Sequence, residues 1–185
     1  MDSIKVKNAF VAVFDKAVLD TLLPILLNQK VKVIGTRGTV GYLKSKGVDA
    51  LSVVEGFDFD GRVKSLDKKN FAAVLADKSK PKHLKELKTL KVLPVDAVVV
   101  DLYKPDPKNF PETMDIGGQA LIRAAIKNFE NVAVAYDKNT IDKLAAELAE
   151  QGGVTTYSFR KEAAKRAAKY ISERAKLEGE YFSRI

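Results

Sequence analysis

Five short apolar runs recur along the chain: AFVAVF (residues 9–14), VKVIG (31–35), DALSVV (49–54), DAVVVDLY (96–103) and VAVAY (132–136). Several are apolar on successive residues rather than on every second one. That pattern suits strands buried on both faces, because a strand with one wet face alternates. Between the runs lie helical patterns. VLDTLLPILLNQ (18–29) is one, with Pro24 expected to kink it or move its start. TVGYLKSKG (39–47) closes on Gly47 in a C-terminal capping position, PKHLKELKTL (81–90) opens on a proline suited to a first helical turn, and NTIDKLAAELAEQGG (139–153) stops at two glycines. Strand and helix alternate, which predicts an α/β fold: a mostly parallel sheet covered by helices on both faces.

At 185 residues the chain can bury one sizeable core, and no Ser/Gly/Pro-rich linker divides it. One α/β domain is expected over 1–153, with 154–185 as a C-terminal helical extension of the same domain. That extension, FRKEAAKRAAKYISERAKLEGEYF, reads as a helix or helix pair with Ala164, Ala167, Ala168 and Ile171 on one side. Two stretches break the alternation, 55–70 (EGFDFDGRVKSLDKKN) and 104–118 (KPDPKNFPETMDIGG). Irregular segments in such folds carry function, since ligands bind beyond the carboxyl ends of parallel strands.

The chain has no cysteine, which excludes disulfides, thiolate nucleophiles and cysteine zinc sites, and its one histidine, His83, sits among lysines in KPKHLKEL. A histidine metal site or a Ser-His-Asp triad is therefore not expected. The net charge of +8 is spread from Lys5 to Arg184 and interleaved with acids, without a stripe or a nucleic-acid motif. It fits a solvated surface with a preference for small anions better than a nucleic-acid binder. No apolar run reaches the ~20 residues that span a bilayer, and the N-terminus lacks a signal-peptide core. A cytoplasmic protein with no membrane and no nucleic-acid partner is the expectation.

Four segments have the residue types for chemistry. IGTRGTV (34–40) follows a strand and precedes a helix, so its backbone N–H groups can receive a phosphate at a helix N-terminus, or it is an ordinary turn with Thr39 as N-cap. DGRVKSL (60–66) places Arg62 and Lys64 on one side of an extended chain, beside Ser65. VVVDLYKP (98–105) ends a strand with Asp101 and Tyr103. The sharpest is MDIGGQALIRAAIKN (114–128), where Asp115 can cap a helix that two glycines leave open. If residues 115–127 form one straight helix, Asp115 and Lys127 stand about 18 Å apart and cannot share a site. For both to act together the helix must be short, ending near Ala125, with Lys127 in the reversal before VAVAY.

Taken in order, FDKAVL, GTRGTV, GFDFDGRVKSL, PVDAVVVDLY, MDIGGQALIRAAIKN and EAAKRAAKY…YF resemble the IMP cyclohydrolase domain of the bifunctional AICAR transformylase/IMP cyclohydrolase family, over nearly the whole chain. The resemblance implies a methylglyoxal-synthase-like α/β fold, a homodimer, no cofactor and no metal. It also implies dehydrative closure of 5-formamido-AICAR ribotide to IMP. Lys64, Tyr103, Asp115 and Lys127 match the family's catalytic positions. Phosphate and ribose contacts fall to Lys16, Thr36, Gly38, Thr39, Arg62 and Ser65, with Gly117 and Gly118 letting the backbone approach the base. Arg37 replaces a family glycine and either turns to solvent or joins the phosphate contacts. Other departures are Asp67, Asp101 and Lys104-Pro105. The family's transformylase domain has no counterpart in these residues, so ring closure without formyl transfer is expected. A non-catalytic phosphoribosyl-ligand sensor on the same fold is the alternative. A methylglyoxal synthase would need an Asp and His constellation not found here.

Overall fold

The computed structural model describes residues 2–53, 62–63 and 65–184. Its elements in chain order are β1 (Ser3–Lys5), β2 (Asn8–Ala12), α1 (Leu23–Asn28), β3 (Lys32–Gly35), α2 (Arg37–Ser45), β4 (Ala50–Ser52) and α3 (Lys68–Leu75). There follow α4 (Pro81–Thr89), β5 (Ala97–Val100), α5 (Ile116–Lys127), β6 (Ala133–Ala135), α6 (Lys138–Glu150), β7 (Val154–Thr156) and α7 (Tyr157–Phe182).

The five apolar runs form one wholly parallel sheet in the order β4-β3-β2-β5-β6. Their apolar residues divide between two cores as the pleat requires. Ala9, Val11, Val33, Ala97, Val99, Ala133 and Ala135 face a core closed by Leu26 of α1, Val40 and Leu43 of α2, and Ile141, Leu144 and Leu148 of α6. Phe10, Val98, Val100 and Val134 face the other, closed by Val74 of α3, Leu121, Ile122 and Ala125 of α5, and Ala167 and Ile171 of α7. Burial on both faces is the reason the runs of β2, β5 and β6 lack alternation. The α/β architecture expected from the sequence is the one observed.

Local signals set most helix ends. Pro24 moves the start rather than kinking a long helix: a 3-10 turn covers Lys16–Leu19, and α1 begins one residue before the proline. Gly47 follows α2 with φ +84°, and Gly152 and Gly153 follow α6 with φ +60° and +87°, values that cost a side-chain-bearing residue most. The cap of α2 is Thr36 rather than Thr39, which sits one turn into the helix.

Three features differ from the expectation or were not foreseen by it. Helix α3 emerges partly from the polar stretch ending at Asn70, its start capped by the Asp67 carboxylate accepting from Lys69 N–H. Strands β1 and β7 form a separate antiparallel pair, Ser3 opposite Thr156, which ties the start of the chain to the residues that lead into α7. The extension itself is one 26-residue helix. Its buried stripe is Arg160, Ala164, Ala167, Ile171, Arg174 and Glu178, while Ala168 is exposed. Among the described residues no helix is long and apolar enough to cross a membrane.

Candidate active site

In the order β4-β3-β2-β5-β6 the connections change direction between β2 and β5, and at such a switch the two following loops diverge and leave a crevice beyond the strand ends. The loops after β3, β2 and β5 therefore stand side by side at the carboxyl edge. Asp101, just past β5, spans the switch: its carboxylate accepts from Phe14 N–H at 2.8 Å and Asp15 N–H at 3.1 Å. Lys16 folds back on the same loop, its ammonium donating to the Val13 carbonyl and to the Phe14 carbonyl at 2.9 Å. The loop after β2 is thus held from both sides. It displays the Phe14 ring, 72% exposed and 5.9 Å from the ring of Tyr103.

Helix α2 points its N-terminus at this edge. Thr39 is fully buried, and its hydroxyl accepts from Val13 N–H and donates to the Val13 carbonyl, both at 3.2 Å, locking α2 to the loop after β2. The Thr36 hydroxyl donates to Thr39 Oγ1 at 3.2 Å. A side chain at Gly38 would meet nothing within 4 Å, so packing does not demand glycine there, and the first-turn backbone is open to approach. Arg37, at the first helical position, is exposed and makes no ion pair with a described residue.

The other wall is the first turn of α5. Asp115 caps it, Oδ1 accepting from Gly118 N–H at 2.7 Å. Side chains from other segments approach both glycines closely. A Cβ at Gly118 would lie 2.4 Å from Leu102 Cδ2 and 2.8 Å from Asp115 Oδ1, and one at Gly117 would lie 2.3 Å from Ser65 Oγ. Ser65, buried, thereby sits on the glycine turn. Tyr103 reaches the same turn, its hydroxyl donating to the Met114 carbonyl at 3.3 Å. Burial, and then the charge of Asp115, push the Tyr103 phenol above its ordinary pKa, so it stays protonated as a donor. Burial also raises the Asp115 carboxyl; Gly118 N–H and the Arg174 guanidinium oppose this, while Asp101 and Glu178 add to it. The raised proton affinity of Asp115 moves it toward the range of a base working near neutral pH, while Tyr103 stays a protonated hydrogen-bond donor.

The remaining sequence-derived positions do not all converge. Lys64 lies outside the described residues, as does most of GFDFDGRVKSL. Arg62 pairs with Glu112 on the exposed surface. Lys127 is the clearest departure: α5 runs unbroken from Ile116 to Lys127 and does not end near Ala125. With about 1.5 Å of rise per residue, its exposed lysine stands roughly 18 Å from Asp115, and this chain does not bring the two together. Asp101 and Tyr103, expected at the end of a strand, fall in the loop after β5. Among the described residues no group of three or more His, Asp or Glu side chains is placed to hold a metal ion.

Two residues at this turn escaped sequence reading, Arg174 and Glu178 of α7, both buried. The signal was present. Continuing the Ala164, Ala167, Ile171 spacing by three and then four residues lands on them.

No family model matches the sequence. The chain is 36% identical to the bifunctional purine biosynthesis protein PurH of Clostridium beijerinckii over 85% of its own length and 34% of that protein's. It is 34% identical to PurH of Caldicellulosiruptor bescii (97% of this chain, 37% of the relative) and 39% identical to PurH of Cutibacterium acnes (80% and 31%). The chain therefore spans about a third of the length of the curated relatives it matches. A solved structure, that of ForH, superposes with a TM-score of 0.80 at 28% identity, covering 96% of this chain and 98% of that one.

Proposed function

We propose that this chain, a PurH-like domain by sequence and by fold, is an IMP cyclohydrolase acting in purine biosynthesis. The observation that carries the reading is the meeting of Asp115, Tyr103 and the Gly117-Gly118 turn at the sheet's switch point. In 5-formamido-AICAR ribotide the carboxamide nitrogen attacks the formyl carbon. The new C–N bond forms as the formyl C=O becomes a hydroxyl, and loss of that hydroxyl with the remaining N–H proton releases one water and leaves a C=N bond. An amide nitrogen is a poor nucleophile, so the reaction needs a base at nitrogen and an acid at oxygen. Asp115 takes the amide proton and the Tyr103 phenol donates to the formyl oxygen. Lys64, matched by resemblance, is a second donor for that oxygen. The open first turn of α2 receives the phosphate through backbone N–H groups and the helix dipole.

The test is direct. Purified protein given formamido-AICAR ribotide is expected to form IMP, followed spectrophotometrically, at an undiminished rate in chelator. Absence of turnover with tight IMP binding would instead support the ribotide sensor. Absence of both would end the proposal.

Arg37 gives a sharper expectation. A guanidinium at the first position of α2, unpaired among the described residues, is free to fork onto phosphate oxygens. Arg37→Gly is expected to raise KM for the ribotide severalfold and leave kcat nearly unchanged, because a phosphate contact is equal in ground and transition states. Unchanged KM, with IMP affinity equally unaffected at low salt, would show that Arg37 serves only the surface.

A further inference from the structure

The buried stripe of α7 continues past the point where its apolar residues end. Beyond Ile171 the next two inward positions are Arg174 and Glu178, each only 7% exposed. A charge withdrawn from water persists in a fold only where nearby groups compensate it. Both are compensated from the candidate site. The Arg174 guanidinium donates to the carbonyl of Tyr103, and the Glu178 carboxylate accepts from Gln119 Nε2 at 2.7 Å, one helical turn after Asp115. A cation and an anion on successive turns of α7 thus grip the two segments that carry Tyr103 and Asp115.

We propose that Arg174 is the positioning residue of this site: it fixes the backbone that aims the Tyr103 phenol, and its positive charge acts on Asp115, a part that Lys127 of the same chain stands too far away to play. The kinetic part of this inference rests on the cyclohydrolase reading; the electrostatic part does not. The groups facing Asp115 are Asp101 and Tyr103 from the loop after β5, Arg174 and Glu178 from α7, and Gly118 N–H from its own helix. Burial, Asp101 and Glu178 favour the protonated carboxyl, against Arg174 and Gly118 N–H. Without Arg174 the carboxyl keeps its proton to higher pH. If the ionised form is the base, the acid limb of kcat moves to higher pH as well.

Two variants separate donor from charge. Arg174→Gln keeps an N–H for the Tyr103 carbonyl and loses the charge; Arg174→Lys keeps a buried cation and loses the planar fork. The Asp115 carboxyl is followed by carbon NMR during pH titration, its resonance identified by loss in Asp115→Asn. The midpoint is expected to rise in Arg174→Gln and to hold in Arg174→Lys. With formamido-AICAR ribotide, kcat of Arg174→Gln near neutral pH is expected to fall about tenfold or more and to recover as pH rises, with KM little changed. An Asp115 midpoint unmoved in folded Arg174→Gln overturns the proposal. So does a kcat loss equal at all pH values in both variants, which marks a merely structural residue. If Arg174→Gln does not fold, a midpoint displaced upward in Arg174→Lys is equally fatal, since the charge is still there. Lack of turnover by the wild-type protein removes the cyclohydrolase reading, and the NMR titration still decides the role of Arg174.

Discussion

Asp115→Asn is expected to lower kcat for ring closure by about 10²–10⁴-fold, the range for loss of a positioned base, with KM almost unchanged. The substitution is clean because asparagine caps a helix as well as aspartate does, so the bond from Gly118 N–H and the start of α5 are retained. Its effect on stability has the opposite sign. Burial holds the Asp115 carboxyl above its ordinary pKa, so the folded protein keeps this proton more tightly than the unfolded chain. Between the ordinary carboxylate pKa and that raised value, rising pH therefore takes stability away, and at neutral pH the ionised carboxylate is a net cost to folding. Asparagine removes the cost. The variant is expected to melt at or above the wild-type temperature at pH 7, with the difference closing below about pH 4, where wild-type Asp115 is protonated in both states. Turnover assays and melts across this pH range check both halves. Full turnover would remove Asp115 from the chemistry, and a lower melting temperature at pH 7 would contradict the electrostatic account.

The largest expected loss of stability lies at the opposite edge of the sheet. Lys78 and Asp96 form a salt bridge with side chains only 14% and 8% exposed. Asp96 also accepts from Lys7 N–H at 2.8 Å and Asn8 N–H at 2.9 Å, and the Lys78 ammonium donates to the Asn131 carbonyl at 2.7 Å. One pair thereby fastens the segments that open β2, β5 and β6. Lys78→Met leaves Asp96 buried without its counter-charge, a defect that costs about 3–5 kcal/mol. At about 2–4 °C per kcal/mol for a chain of this size, the melting temperature should fall by roughly 6–20 °C. Lys78→Met with Asp96→Asn should recover more than half of the loss, since asparagine still accepts from the two backbone N–H groups and carries no charge. Turnover of Lys78→Met well below its melting point should match wild type, because the pair lies at the amino ends of the strands and the candidate site at their carboxyl ends. A shift of a degree or two, or no recovery in the double variant, would show that water reaches the pair.

How far the sequence could be read follows from the range of each interaction. The five core strands were legible as short Val- and Ala-rich apolar runs, several of them apolar on successive residues. The ends of α2 and α6 were legible because Gly47, Gly152 and Gly153 adopt positive φ values where the sequence placed them. Strands β1 and β7 were not, since each has three residues and exists only by pairing with a partner about 150 positions away, too short for any period to show. Helix α3 was hidden because its first turn, Lys68–Asn70, is polar and belongs by composition to the irregular stretch before it.

The candidate site divides the same way. Asp115 as a cap is local chemistry written in consecutive residues, and the structure places it as the sequence implied, whereas the two glycines after it pack against Ser65 and Leu102 from distant segments. The conditional geometry of Lys127 was also written there: a regular helix from Ile116 puts the lysine at the far end, and only the fold showed that nothing interrupts it. The spacing of α7 placed Arg174 on the inward stripe, but what it meets there belongs to the tertiary structure. Its burial depends on a carbonyl 71 residues earlier, on a loop that only the sheet's switch point brings against α7. Periodicity and capping act over a few residues and fixed the sheet, its helical layers and the first turn of α5. Whether a charged side chain on a helix faces water or a reacting group depends on which distant segment packs over it, and that was decided by the assembled fold alone.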